Sequence, residues 1–319
     1  MNLDLYKLIS EKDLSIQISK INQELLSTIK GPKKLNDLVR EYLNSKSKRL
    51  RPALMIAVIT LKKDHLSIQD IRAITSVEIL HLSSLIHDDI IDHSILRHNL
   101  PTINSKNGDG AAILAGDYLI NKSFQLALKS SPKTLAYLGQ AFEELCEGQY
   151  LELKDNFNKN RSIPDYIQSI KGKTASLFGY SLMIAANQAN CNQEEIQQFY
   201  KFGINFGIAF QIIDDLVDLY STALIAGKKT QQDLIEGKYN LPILIAAKLN
   251  VIKLTEFEKT LDPKLIQSRL EESDVFQLTF LEIKKYLTRS QATIKYPLVD
   301  FPEKYLKWSF KQYFDITLP

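Results

Sequence analysis

The chain has 319 residues, of which 45% are hydrophobic, and it contains twelve glycines and ten prolines. This composition supports a large packed core and excludes disordered, collagen-like and disulfide-stapled proteins. Forty Lys and Arg residues nearly balance 37 Asp and Glu residues, which gives a net charge of +3. Because so small a charge creates no strong general field, we expect no binding to nucleic acid, and any anion site must be local.

No stretch of the sequence is typical of a membrane or secretion signal. Acidic residues interrupt the apolar residues near the start, and apolar runs such as residues 53–61 are shorter than the ~20 residues of a membrane-spanning helix. Cys146 and Cys191 have neither a disulfide-framework pattern nor a metal-binding spacing. We therefore expect a cytoplasmic protein without a transmembrane segment, in which both cysteines are reduced thiols in the core.

Apolar residues recur at intervals of three and four along nearly the whole chain, which is the spacing of amphipathic α-helices. One such stripe comprises Leu35, Leu38, Val39 and Tyr42. Proline and glycine are widely spaced, which predicts helices of about 15 to 25 residues. No segment alternates at period two around a two-residue turn, so we expect no β-hairpin. The simplest architecture is a single all-α domain.

Two acidic clusters share the pattern Asp-Asp-x-x-Asp, at residues 88–92 and 214–218. On a helix, the first and last aspartates of each cluster lie one turn apart on the same face, where like charges repel. A solvated acidic patch would explain one cluster, but the residues preceding both are too apolar for an exposed face. Buried carboxylates need a partner or a cation, and oxygen ligands suit Mg²⁺, which also binds water and phosphate. The clusters therefore predict metal sites with a phosphate-bearing substrate between them.

Basic residues near these clusters are candidates for binding that substrate, although a single lysine or arginine is usually a solvated surface residue. They are Lys48, Arg49, Arg51, Arg97, Lys173, Lys228, Lys229 and Lys238. All five histidines fall between residues 65 and 98. His87 and Asp88 match the spelling of an HD-type phosphohydrolase, but no histidine elsewhere completes a second half-site. We expect His87 and His93 to flank the acidic helix and not to bind metal.

Several segments, in one order along the chain, resemble the motifs of the trans-polyprenyl diphosphate synthases, also called isoprenyl diphosphate synthases. They are SKRLRP at 47–52, HDDIID at 87–92, RHNLPT at 97–102, GDYLINKSF at 116–124, KTA at 173–175, FQIIDD at 210–215 and DLIEGKYNLP at 233–242. Several ordered motifs are far more specific than any one of them. The resemblance implies one polyprenyl synthetase domain over residues 1–319, with long helices around a central cavity in the isoprenoid synthase fold.

The resemblance also implies an activity. Such an enzyme ionises an allylic diphosphate, stabilises the departing diphosphate with three Mg²⁺ ions and basic side chains, and alkylates isopentenyl diphosphate. The metal ligands it implies are Asp88, Asp92, Asp214, Asp215 and Asp218. The residues it implies to be catalytic are Asp88, Asp89, Asp92, Lys173, Asp214 and Lys238.

Binding roles for the two substrates follow from the same resemblance. The residues expected to hold the allylic diphosphate are Arg97, Lys173, Gln211, Lys228 and Lys238, with Thr174 near the carbocation. Those expected to hold isopentenyl diphosphate are Lys48, Arg51 and His81. His98 stands where relatives have an arginine that helps to hold this substrate, so a neutral histidine predicts weaker affinity near pH 7.

Three alternatives stay open at this point. An HD-type phosphohydrolase would use His87 and Asp88 but gives the second acidic cluster no role. A terpene cyclase would share the helical fold but would lack the KRLRP segment and the repeated cluster. A catalytically weak or regulatory subunit of a heteromeric synthase is suggested by His98 and by the residues replacing glycines, which are Ser47, Asn99 and Gln231. The resemblance implies a homodimer, and a small unlike partner subunit is compatible with the sequence.

Product length is expected to depend on side chains one helical turn before the first cluster. Ser84 and Ser83, four and five residues before Asp88, are both small. In the family, bulky aromatic residues at such positions resemble a floor that stops the product at short lengths. The two serines therefore favour a product of C20 or longer.

Overall fold

The computed structural model describes residues 14–43, 49–97, 100–220, 237–254, 263–295 and 297–318, and these are almost entirely helical. The elements up to residue 130 are α1 (Ser15–Thr28), α2 (Lys33–Leu43), α3 (Leu50–Ile59), α4 (Ile68–Ile91), β1 (Leu96–Arg97), β2 (Leu100–Pro101), α5 (Ile103–Asn107) and α6 (Asp109–Ser130). The later ones are α7 (Pro132–Lys154), α8 (Ile163–Ile170), a π-helical turn (Lys171–Ala175), α9 (Ser176–Gln188), α10 (Gln193–Tyr220), α11 (Leu241–Lys248), α12 (Pro263–Glu271), α13 (Val275–Gln291), a 3₁₀ turn (Pro297–Asp300) and α14 (Phe301–Phe314). The all-α prediction is confirmed.

A short hairpin contradicts the expectation that the chain has none. β1 pairs with β2 in an antiparallel arrangement, with Leu96 opposite Pro101 and Arg97 opposite Leu100. Each strand has only two residues, and most of them are exposed. Strands this short carry no detectable alternation, so the hydrophobic pattern of the sequence gave no signal for them.

Two other expectations concern the cysteines and the membrane. Both cysteines are free, but the prediction that they lie in the core is wrong, because Cys146 is exposed and Cys191 is half-buried. Cysteine behaves as a small apolar side chain that composition alone does not place inside or outside. Within the described ranges, no helix is both long enough and apolar enough to span a bilayer.

The chain divides into two compact units. The first contains residues 1–142 and 180–200, and the second contains residues 143–179 and 201–319. The first acidic cluster belongs to the first unit and the second cluster to the second unit. The single domain over residues 1–319 stays a prediction.

α4 carries the first acidic cluster and has a long buried stretch in the first unit. Its start is fixed by a capping box, in which Ser67 Oγ accepts a hydrogen bond from Asp70 N and Asp70 Oδ2 accepts one from Ser67 N at 2.8 Å. Every residue of the segment 73–80 is buried. The helix packs against α1, α3, α5 and α6. The cluster is thus attached to a helix that its neighbours hold in place.

α10 carries the second acidic cluster, and an aromatic core holds it within the second unit. The ring centroid of Phe206 lies within 5.4 Å of the centroids of Phe178, Phe301 and Tyr305. These rings belong to α9 and α14. Aromatic pairs at such distances stabilise the fold beyond the burial of their surface. The part of α10 that precedes the cluster is therefore firmly packed.

Candidate active site

The first acidic cluster lies where α4 ends. Asp88 and Asp89 are in its last turn and Asp92 is its C-cap residue. The backbone N of Asp92 donates to the carbonyl O of Asp88 at 2.8 Å, so these residues are one turn apart, as the spacing predicts. A helix C-terminus carries partial negative charge from its unpaired carbonyls. The half-buried carboxylates of Asp88 and Asp92 add to that charge, and the arrangement attracts a cation.

Asp89 is the buried carboxylate of this cluster, with its side chain 2% exposed. Arg97 Nε donates to its Oδ1 at 2.7 Å, whereas its buried Oδ2 accepts no hydrogen bond from any described residue. Burial raises the pKa of Asp89 to about 6, although Arg97 acts in the opposite direction. A buried carboxylate with an unsatisfied oxygen is short of positive charge. A cation bound beside it would supply that charge.

Arg97 lies on β1 of the short hairpin, and the residues around the hairpin hold it near Asp89. Thr102 Oγ1 donates to the carbonyl O of Ser94 at 2.7 Å, and Asn104 Nδ2 donates to the carbonyl O of Asp89 at 3.2 Å. Arg97 uses Nε for Asp89, and its other nitrogens donate to no described residue. Since a guanidinium has five N–H donors, this pairing leaves donors for an anion.

The residues predicted to bind isopentenyl diphosphate are only partly described. Arg51 is buried in the first turn of α3, and His81 is half-buried on α4. Lys48 and His98 lie outside the described residues, as do Lys228 and the glycine replacements Ser47, Asn99 and Gln231. The structure therefore places both described members of this group in the first unit.

Ser83 and Ser84, predicted to set product length, lie one turn before the first cluster on α4. Ser83 is fully buried and donates through Oγ to the carbonyl O of Leu80 at 2.7 Å. Ser84 is half-buried and donates to the carbonyl O of His81 at 2.8 Å. Both hydroxyls are satisfied within the helix, so neither side chain projects bulk beneath the cluster.

The second cluster is organised around Asp215 by hydrogen bonds from neutral side chains. Gln211 Nε2 donates to its Oδ1 at 3.0 Å, and Tyr166 Oη donates to its Oδ2 at 2.5 Å. Thr174 Oγ1 donates in turn to Gln211 Oε1 at 2.7 Å. The pKa of Tyr166 is raised well above its usual value, mainly by burial and next by Asp215, so the phenol stays a donor. Thr174, Gln211 and Asp215, all singled out in the sequence, thus form a hydrogen-bonded chain, and Tyr166, which was not singled out, adds a donor to Asp215.

The π-helical turn between α8 and α9 presents Lys173 and Thr174, and such turns are frequent at functional sites. Lys173 forms an ion pair with Glu152 of α7. Two glycines allow the close approach of α7 to this turn: a Cβ at Gly148 would lie 2.1 Å from the backbone N of Lys173, and one at Gly172 would lie 2.6 Å from the carbonyl O of Glu144. Gly148 thus brings Glu152 and Lys173 together.

Lys238, predicted to bind the allylic diphosphate, lies in a segment held by a buried arginine. Arg161 Nη1 donates to the carbonyl O of Tyr239 at 3.0 Å, and its Nη2 donates to Ser169 Oγ at 2.7 Å. Its guanidinium carbon lies 5.6 Å from the centroid of the Tyr166 ring. Lys238 itself is buried. Sequence reasoning missed Arg161, Glu152 and Tyr166, because a lone arginine, glutamate or tyrosine carries no motif.

The site suits a metal ion that protein side chains only partly surround, which is an open site, and not one that they enclose. Among the described residues, no group of three or more His, Cys, Asp or Glu side chains is arranged to enclose a metal ion. Mg²⁺ characteristically uses one or two protein carboxylates and completes its coordination with water and substrate phosphate. The Asp88 and Asp92 pair, with the unsatisfied Oδ2 of Asp89, fits that requirement. His87 instead places Nε2 3.6 Å from Asp117 Oδ1, which gives no support to an HD-type phosphohydrolase.

Comparison with known proteins agrees with this geometry. The sequence profile described as polyprenyl synthetase matches residues 32–277. Heptaprenyl diphosphate synthase component 2 of Bacillus subtilis is 31% identical over 290 residues, covering 87% of this chain and 81% of its own. Geranylgeranyl diphosphate synthase of Methanosarcina mazei is 31% identical over 277 residues, covering 85% and 83%. The crystal structure of heptaprenyl diphosphate synthase from Staphylococcus aureus superposes with a TM-score of 0.84 at 26% identity, covering 95% of this chain and 98% of that one.

These similarities confirm the isoprenoid synthase fold. The chain belongs to the polyprenyl synthetase family and is a prenyl diphosphate synthase, as its ordered motifs predict. The relatives are named for different products, so membership of the family does not specify the length of the prenyl chain.

Proposed function

We propose that the protein is a Mg²⁺-dependent trans-prenyltransferase that condenses isopentenyl diphosphate with an allylic diphosphate to give a product of C20 or longer. The observation that carries the proposal is the end of α4, where Asp88 and Asp92 are one turn apart. Beside them Asp89 keeps a buried oxygen that no described residue satisfies. This donor set suits an open Mg²⁺ site that a diphosphate completes.

The aspartates of the two clusters have different tasks in this proposal. Asp88, Asp92, Asp214, Asp215 and Asp218 hold metal, and Tyr166 and Gln211 orient Asp215 for this role. When bound, Mg²⁺ supplies positive charge that stabilises the diphosphate as the carbon–oxygen bond breaks. Asp89 and Arg97 form one unit, in which the carboxylate orients the guanidinium toward the phosphate oxygens.

Basic and neutral side chains bind the allylic diphosphate and the developing carbocation. Lys173, Lys238 and the free donors of Arg97 bind phosphate oxygens, which makes their charge available where negative charge develops. Thr174 faces Gln211 and fixes its amide. After carbon–carbon bond formation the new carbocation loses a proton to the departed diphosphate, so the proposal requires no protein base.

The product is proposed to be medium or long. Ser83 and Ser84 support this, because both are small and both bond within their own helix. The relatives named for heptaprenyl and geranylgeranyl diphosphate are consistent with it.

The protein is proposed to act as a homodimer. α6 exposes large apolar side chains, with Leu114 64% and Leu128 56% exposed, and exposed apolar residues on one helix favour a subunit contact. A second candidate is a component that needs an unlike subunit, which the name of the Bacillus subtilis relative, component 2, favours. Sedimentation of the purified chain, compared with Leu114→Glu, tests the dimer: the variant is expected to be monomeric.

The proposed activity is tested by incubating the purified chain with Mg²⁺, labelled isopentenyl diphosphate and farnesyl diphosphate, and separating the dephosphorylated products. We expect a ladder that ends at one length and that chelation of the metal abolishes. No incorporation by the chain alone, in an assay where a known synthase works, contradicts autonomous activity and supports the two-subunit candidate. Incorporation that chelation leaves unchanged contradicts the role of Mg²⁺.

A further inference from the structure

Arg49 lies between two residues predicted to bind isopentenyl diphosphate, but its side chain is engaged inside the protein. Arg49 Nη1 lies 2.6 Å from Glu78 Oε1, in an ion pair whose side chains are 9% and 1% exposed. Arg49 Nε donates to Asn22 Oδ1 at 3.2 Å. Arg49, the residue before α3, therefore contacts α4 through Glu78 and α1 through Asn22.

The backbone of Arg49 is in an unusual conformation that these contacts hold. Its φ is +50°, in the left-handed region that residues other than glycine rarely adopt. It is the N-cap residue of α3 and makes no side-chain cap, while its carbonyl O accepts the first helical hydrogen bond from Ala53 N at 3.0 Å. Such conformations persist only where surrounding structure fixes them. The buried ion pair with Glu78 and the hydrogen bond to Asn22 are contacts that do so.

The same ion pair joins the two helices that carry two residues predicted to hold isopentenyl diphosphate. Arg51 follows Arg49 by two positions, in the first turn of α3, all ten residues of which are buried. His81 follows Glu78 by three positions on α4, so the two side chains lie on the same side of that helix, one turn apart. The link from Arg49 to Glu78 therefore lies close in the chain to both Arg51 and His81.

We propose that Arg49 is a positioning residue for isopentenyl diphosphate. With Glu78 and Asn22 it holds the first turn of α3, which carries Arg51, in a fixed place relative to His81. It acts through these neighbours and does not touch the substrate. The inference rests on the proposed function and extends it by assigning a role to a buried network outside the metal and diphosphate sites.

The test compares Arg49→Gln, Glu78→Gln and the double variant with a matched control. Arg72→Gln is the control, because it removes another arginine of the first unit that pairs with a glutamate, Glu24, at 3.7 Å but is 32% exposed. We measure KM for each substrate in steady state and Kd for isopentenyl diphosphate by calorimetry without metal. Thermal unfolding followed by circular dichroism checks that each variant is folded.

For Arg49→Gln we expect KM and Kd for isopentenyl diphosphate to rise at least tenfold, with KM for the allylic substrate within twofold of wild type. The double variant is expected to lose no more affinity for isopentenyl diphosphate than the weaker-binding single variant, because the two residues act as one unit. Arg72→Gln is expected to match the wild type in all three constants. If Arg49→Gln does not fold, Arg49→Lys takes its place, because lysine keeps the charge but not the forked donors of arginine. A rise in its Kd for isopentenyl diphosphate then supports the inference, and an unchanged Kd overturns it.

Unchanged affinity for isopentenyl diphosphate in the folded variant overturns the inference. An equal rise in KM for both substrates also overturns it, since that result indicates a general structural effect. A wild-type chain that incorporates no isopentenyl diphosphate overturns the proposed function instead. The two failures are therefore distinguishable in one set of measurements.

Discussion

The two Asp-Asp-x-x-Asp clusters have the same spelling, but their second aspartates are in different surroundings. Asp89 has one charged partner, Arg97, and a buried oxygen that accepts no hydrogen bond from the described residues. Asp215 accepts hydrogen bonds on both oxygens, from Tyr166 and Gln211. One oxygen of the first carboxylate therefore lacks a donor among the described residues, whereas both oxygens of the second accept hydrogen bonds from neutral side chains.

This difference shows that one sequence pattern can build two kinds of carboxylate site. At the first cluster, Arg97 pairs with one oxygen of Asp89, and the other buried oxygen, to which no described residue donates, stays unsatisfied until a further cation binds. At the second cluster, hydrogen bonds orient Asp215 before any cation is present, which lowers the cost of assembling the site. Variants at the two clusters separate these two behaviours.

The largest expected effect is common to both clusters. Asp88→Ala and Asp214→Ala each remove a proposed metal ligand and are expected to lower kcat for incorporation of isopentenyl diphosphate by about 10³-fold. Circular dichroism is expected to show an unchanged helix content. Asp64→Ala, at an exposed aspartate of the first unit, is the control and is expected to keep wild-type kcat. Wild-type rates in either cluster variant would refute the metal assignment.

Tyr166→Phe tests the preorganisation of the second cluster. The change removes the donor to Asp215 Oδ2, and a buried acceptor that loses its donor costs about 1–3 kcal/mol in the free energy of unfolding. We expect kcat to fall by about tenfold as well, because the carboxylate is no longer oriented. Tyr239→Phe removes a buried hydroxyl that donates to the carbonyl O of Leu254 and is the matched control. Equal kcat in both variants would show that Tyr166 has only a structural role.

Asp89→Asn tests the unsatisfied charge of the first cluster through the pH dependence of stability. The pKa of Asp89 is raised from 3.8 to about 6, so the folded state holds the proton at pH values where the unfolded state has lost it. The stability associated with this proton is fully present below the unfolded pKa and is lost as pH rises through about 6. Asparagine stays neutral throughout.

The stability of Asp89→Asn relative to wild type is therefore expected to increase between pH 4.5 and pH 7.5, by on the order of 2 kcal/mol. The measurement is urea unfolding of both proteins at each pH, with chelator present to remove metal. A difference between the two proteins that does not vary with pH would contradict the raised pKa.

The smallest expected effect on rate comes from Ser84→Phe, which adds bulk one turn before the first cluster. We expect a shorter final product with kcat reduced by less than about tenfold, because the metal ligands are untouched. Ser84→Ala is the control and is expected to leave the product distribution unchanged. Chromatography of the dephosphorylated products gives the answer, and an unchanged distribution in Ser84→Phe would place the growing chain elsewhere.

Sequence reasoning reached those features that local spacing determines. Apolar residues at intervals of three and four predict the helices, and the spelling of the two clusters places Asp88 one turn from Asp92. The ordered motifs also led to Thr174 and Gln211, which the structure joins by a hydrogen bond. Each of these signals lies within a few neighbouring residues or within a known motif.

Features that depend on contacts between residues far apart in the sequence could not be predicted. Tyr166 and Asp215 are 49 positions apart in the chain, and neither position reveals the other. Arg161 looks like a solvated loop residue until the fold brings Tyr239 to it. The difference in hydrogen bonding between the carboxylates of Asp89 and Asp215 also depends on tertiary contacts. The identical Asp-Asp-x-x-Asp patterns therefore did not indicate it.

The most direct test of the account is the binding of Mn²⁺, as a spectroscopic substitute for Mg²⁺, in the presence and absence of inorganic diphosphate. An open site predicts that electron paramagnetic resonance detects strong Mn²⁺ binding by the wild type only when diphosphate is present. The double variant Asp88→Ala, Asp92→Ala is expected to lose at least tenfold in that affinity. Equal Mn²⁺ binding by the wild type and the double variant, with diphosphate present, would contradict the assignment of the first cluster as a metal site.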